Sequence, residues 1–138
     1  CTSFKQELLV GTHNFTATTG DTFKIALYTS SATLGAGTTA FTTSNEITNT
    51  SGTAYTSGGA TLTSVTPTTD STTAVCDFAD VSFTSASFTA NGALIYNDDQ
   101  SDKAVAVIAF GGDKTVSSGT FTIQFPTADA TNAIIRLA

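Results

Sequence analysis

The sequence predicts an all-β fold: an antiparallel β-sandwich or barrel of about eight short strands, preceded by a short helix. Three observations predict it. Apolar residues recur at every second position in short runs, as in Phe23, Ile25 and Leu27 or in Phe121, Ile123 and Phe125. That is the period of a strand with one buried face. Turn-forming clusters such as Gly20-Asp21, Ser57-Gly58-Gly59, Asn91-Gly92 and Gly111-Gly112-Asp113 punctuate these runs. Threonine, β-branched and suited to a pleated surface, fills much of the polar remainder.

In chain order, Ser3 to Leu9 carries the one helical signal. Ser3 can cap, Phe4, Leu8 and Leu9 are placed on one face, and Gly11 ends the helix. A helix this short must dock on something to be stable. Thr22 to Tyr28 reads as a strand. Residues 30–45, rich in Ser, Thr, Gly and Ala, read as a long surface loop, of the kind that often makes contacts. Glu46-Ile47 and Ala54-Tyr55 precede the turn at Ser57-Gly58-Gly59. Thr61 to Val65 is a short strand that Pro67 ends or confines to an edge, and Thr68 to Ser71 is a turn. Strands follow at Thr73 to Phe78, Asp80 to Phe83 and Ala93 to Tyr96.

Asn97 to Asp102 is a polar loop. Lys103 to Phe110 is the most apolar segment and reads as a buried strand. Gly111-Gly112-Asp113 turns the chain into Thr120 to Phe125, which Pro126 stops. Asn132 to Leu137, with Ile134 or Ile135 inward, is the last strand. The 138 residues suit one domain, divided into a helical arm over 1–12 and a β-sandwich over 13–138.

Composition narrows the function. Charged residues are 12% of the chain and the net charge is −6. Nucleic-acid affinity rests on Lys and Arg neutralising phosphates. Only Lys5, Lys24, Lys103, Lys114 and Arg136 are present, and they are scattered. No nucleic-acid partner is expected, nor an anionic membrane surface. No run of eighteen apolar residues is present, and no basic and apolar leader is visible. Residue 1 is Cys rather than Met, so the N-terminus shown is expected to be processed or truncated. A bacterial surface lipoprotein, whose mature chain begins with a lipid-bearing Cys, is one alternative. Against it, Phe4 to Val10 reads as structured chain rather than tether.

Catalytic equipment is sparse, and no enzyme is expected. His13 is the one histidine; it reads as structural, since a base needs a nucleophile and an orienting group beside it. The hydrolase elbow Gly-x-Ser-x-Gly, the phosphate loop and the dinucleotide fingerprint are all absent from the sequence. His13, Cys1 and Cys76 lack zinc-site spacing. Cys76 reads as a small buried hydrophobe, with a bridge to Cys1 left open. Asp98, Asp99 and Asp102 are the best calcium candidates, with Asp77 and Asp80 a weaker pair. Neither matches an EF-hand loop, and a solvated acidic hairpin tip is the simpler reading. Paired carboxylates could cleave glycosides, but the chain has no Trp and three Tyr to form sugar platforms. No cofactor and no metal is expected.

Several blocks resemble one family. They are Ser3 to Leu9 with Gly11 to Phe15, Gly20 to Thr29, Tyr55 to Leu62, Gly92 to Asn97, Lys103 to Val107, and Phe121 to Thr127. Together they look like the small virion structural proteins of tailed bacteriophages, notably those of cyanobacterial and marine hosts. The blocks are strands and turns and span most of the chain. The resemblance implies a non-enzymatic capsid cement or decoration protein on the capsid exterior. Its partner would be the major capsid protein, and it would associate with itself as a homotrimer. A tail or fibre component binding a host receptor or glycan is the alternative. Under the cement reading, Phe4, Leu8 and Leu9 on the helix and Leu34 and Phe41 on the 30–45 loop are the expected partner contacts.

Overall fold

A computed structural model of the chain describes residues 1–48 and 55–138. Ala54, part of the expected Ala54-Tyr55 segment, lies outside the described residues. The helix α1 (Thr2–Leu9) is followed by β1 (Phe23–Tyr28), β2 (Ala60–Thr61), β3 (Ser64–Asp70), β4 (Thr73–Phe78), β5 (Val81–Asn97), β6 (Lys103–Ile123) and β7 (Ile135–Leu137). They form two antiparallel sheets, ordered β2-β1-β5-β6 and β3-β4-β7. The architecture is the expected all-β, sandwich-like one with a short N-terminal helix.

Among the described residues the strands are fewer than expected, and β5 and β6 longer, because two predicted turns are not turns. Asn91-Gly92 lies inside β5. Gly111-Gly112-Asp113 lies inside β6, where Ala90 faces Lys114 but Gly92 faces Ala109. Four residues, Phe110 to Asp113, therefore stand opposite Asn91 alone. Gly111 and Gly112 take φ of +72° and +139°, and Asn91 Nδ2 donates to Asp113 Oδ1 across the bulge at 2.8 Å. Bulges and turns can both place a residue at positive φ, so glycine marks either one.

Pro67 sits within β3 rather than ending it. It occupies an edge strand at a register shift between Val65 and Thr68, the position where a missing N–H costs no ladder bond. That strand runs on to Asp70, so the expected turn over 68–71 shrinks to its end, where Ser71 takes positive φ. At the C-terminus only Ile135–Leu137 is strand, and Ile134 and Ile135 are both half-buried.

The main core lies between the sheets. Phe15 stacks on Phe23 with ring centroids 4.3 Å apart, and Phe78 meets both. Ile25, Leu27, Phe83, Phe88 and Ile95 extend this cluster. Such aromatic contacts add to the energy of area burial alone. Strand β1 also buries its second face. Ala26 and Tyr28, with Leu94, Tyr96 and Ala104, form a smaller cluster under Ala32, Leu34 and Phe41. The 30–45 loop, expected as a surface loop, is thus a lid on the outer face of the first sheet. Tyr28 Oη donates to Thr42 O, tying the lid down.

Strand β6 is not the buried strand that its apolar sequence predicts. Only Ala104 and Val105 are buried in its first half, and Ala109 is exposed. Its place at the edge of its sheet leaves one side open.

Candidate partner-binding surface

Helix α1 begins at Thr2, one residue before the expected cap at Ser3, with no side-chain cap. Thr2 N donates instead to Ala36 O of the lid loop. At the other end Gly11, with φ +72°, lets the chain fold back so that its N–H reaches Leu8 O and the Thr12 N–H reaches Glu7 O.

The helix turns a different face inward from the one expected. Phe4 is 7% exposed and belongs to the core. Leu8, one turn on, is half-buried against it. Leu9 is 89% exposed and Val10 66%. At about 100° per residue Leu9 stands some 140° from Phe4, whereas Glu7 stands about 60° away and points in. Phe4 is therefore a packing residue and not a surface contact. Leu9 and Val10 form an apolar tip in solvent.

What holds that tip in place is a chain of polar side chains that sequence reasoning missed. Glu7 Oε1 accepts from Lys103 Nζ at 2.8 Å, and Glu7 Oε2 faces His13 Nε2 at 3.0 Å. His13 Nδ1 faces Asn97 Nδ2 at 2.9 Å, and the same amide donates to Asp21 Oδ2 at 2.8 Å. An amide nitrogen can only donate. His13 Nδ1 is therefore the acceptor, and Nε2 carries the proton given to Glu7. Burial raises the Glu7 carboxyl. The hydrogen bonds from Lys103 and His13, with the Lys103 charge, outweigh that and hold it below its ordinary value. Asp21 follows the same logic: burial raises it, and donation from the Asn14 N–H and from Asn97 and Gln100 brings it down.

The network links α1, the segment before β1, and the ends of β5 and β6. His13 was singled out as a lone histidine. Its partners come from 6 and 84 residues away, so no local motif marks them. Its two ring nitrogens face Glu7 and Asn97, and its ring packs against Phe4, Phe15 and Phe23.

The lid supplies the remaining expected contacts. Leu34 and Phe41 are both half-buried. Phe41 stacks on Tyr96 at 4.7 Å and 18°, so each spends most of its apolar surface inside this chain. The Thr2–Ala36 bond brings helix and lid side by side, joining the two expected contact segments into one region.

The acidic tip is a connection rather than a cage. Asp98 pairs with Lys24 at 3.0 Å, and Asp99 Oδ2 accepts from the Thr22 N–H at 2.7 Å. Ser101 and Asp102 take left-handed backbone conformations that close the β5–β6 hairpin. Asp80 Oδ1 caps the Phe125 N–H. Among the described residues no three His, Cys, Asp or Glu side chains converge as a metal site. Cys1 and Cys76 are both free thiols. Burial, then the neighbouring Asp77 charge, pushes the Cys76 thiol up to about 12. Among the described residues no helix is long and apolar enough to cross a membrane.

Compared with known proteins, the chain matches no protein-family model, no curated protein and no solved structure.

Proposed function

We propose that this chain is a non-enzymatic structural protein of a tailed-phage virion, a capsid cement protein on the shell exterior. It binds the lattice of the major capsid protein and associates with its own copies, as a homotrimer. The observation that carries the reading is the Leu9-Val10 tip. Two adjacent large apolar side chains stand in solvent at 89% and 66% exposure, on a helix clamped from beneath by Glu7, His13 and Lys103. A pre-organised apolar knob loses little entropy on docking, and exposed apolar groups of this kind mark contact sites. The family resemblance supplies the partner. A protein that binds the assembled lattice but not dispersed subunits stabilises the shell by mass action.

The test has two parts. Immunogold labelling of particles of the encoding phage should decorate the heads. Label on the tail alone would replace this reading with a tail or receptor-binding one, and unlabelled particles would remove it. The double substitution Leu9→Ser, Val10→Ser should then lower capsid occupancy while leaving the urea midpoint unchanged.

A further inference from the structure

One side of the sandwich is unsealed. Strand β6 is outermost in its sheet and β7 is outermost in the other. Beside β6 lies an apolar groove of about 470 Å³, lined by Ile108, Phe110 and Phe121 of β6 and by Phe125 and Ile134 of the segment that leads to β7, with Lys114 among its walls. Beyond the bridge of Ala40 to Lys103, made by the Ala104 N–H on Thr39 O and the Phe41 N–H on Asp102 O, no strand pairs with the outer edge of β6 among the described residues. The same holds for the outer edge of β7.

An apolar groove beside a free strand edge has the form of a strand acceptor. The edge offers main-chain donors and acceptors, and the groove takes every second side chain. Lys114 adds a charge requirement. It is exposed and has no carboxylate within ion-pair distance among the described residues. An occupant that brings a carboxylate to it completes a pair at the groove wall. The net charge of −6 acts from farther away and is screened beyond roughly 8 Å at physiological salt.

The geometry points to one occupant: an extended strand of another protein, apolar at alternate positions and carrying one acidic side chain opposite Lys114. The Phe110 to Asp113 bulge interrupts the β6 edge for any incoming strand, and a second copy of this chain is the competing occupant that the experiment separates. The inference stands apart from the capsid reading, since it holds whether or not the partner is a shell protein.

The experiment uses fluorescence anisotropy with the whole chain and labelled ten-residue peptides alternating valine and threonine. One peptide carries a central glutamate, a second a central lysine. A third is the glutamate peptide N-methylated at alternate amides. The glutamate peptide should bind at least threefold tighter than the lysine peptide. Lys114→Glu, a substitution at an exposed position, should reverse that order. N-methylation should abolish binding, a result that needs no variant protein. Hydrogen exchange should slow in β6 and not in β1. Absence of binding, an order unchanged by Lys114→Glu, or binding indifferent to N-methylation would each overturn the proposal. So would sedimentation showing that the chain alone dimerises and that Lys114→Glu dissolves the dimer, since the seam would then take a second copy.

Discussion

Glu7 Oε2 stands 3.0 Å from His13 Nε2, at the centre of a line of five polar side chains that fastens the N-terminal helix to the loop end of the β5–β6 hairpin. A carboxylate that is 7% exposed and serves two donors from different elements has no replacement partner when it is removed. Glu7→Ala should therefore destabilise the fold by about 2–4 kcal/mol, toward the lower end because Lys103 keeps part of its contact with water. The urea midpoint measures this, and a change below about 0.5 kcal/mol would show the network to be dispensable.

The same network sets the acid limit of stability. Glu7 and Asp21 both have carboxyl pKa values below the ordinary ones in the folded chain. A depressed carboxylate contributes stability that is fully present above its unfolded pKa, about 4. That contribution is lost as pH falls through the folded value. Stability should be flat from pH 7 to about 5 and decline below about 4. Glu7→Gln should start lower and decline less steeply, as read from thermal melts across that window.

Phe4 and Leu9 should respond in opposite ways, although both were expected on one contact face. Phe4→Ala empties a core position and should cost about 3–5 kcal/mol. Leu9→Ala touches only solvent and should stay within about 0.5 kcal/mol. Comparable losses at the two positions would mean that the helix docks through a different face.

Gly59 is wedged over β1. With φ at +76°, a Cβ there would lie 1.9 Å from the carbonyl oxygen of Ile25. Backbone cannot yield as a flexible side chain does, so Gly59→Ala should displace β2 and lose several kcal/mol. Gly37, with open space around its Cβ position and no positive φ, is the matched control. Its replacement by Ala should be silent in the same denaturation assay.

The two thiols should separate cleanly. Cys76 is buried, with its thiol pushed up to about 12, and thiolate is the reactive form. Cys1 is half-buried. In the native protein a thiol-specific reagent should label Cys1 alone, and urea should release the second equivalent. Native labelling of both would show that β4 opens readily.

By itself the sequence determined the class of the fold. Alternation at Phe23, Ile25 and Leu27 and at Phe121, Ile123 and Phe125 records which face of a strand is buried, and that is a local property with period two. It also marked the helix, the lid loop and the acidic hairpin tip. Tertiary structure alone decided where each strand sits. Lys103 to Phe110 is apolar enough for a central strand, yet it lies at an edge, because strand order depends on pairings that cross the whole chain. Glycine at 111 and 112 required positive φ, but only the partner strand made the site a bulge instead of a turn. The Glu7, His13, Asn97, Asp21 and Lys103 network was illegible for the same reason. Its bonds join residues up to 96 positions apart, and the burial that makes Glu7 an inward anchor, leaving Leu9 in solvent, exists only once the helix has docked.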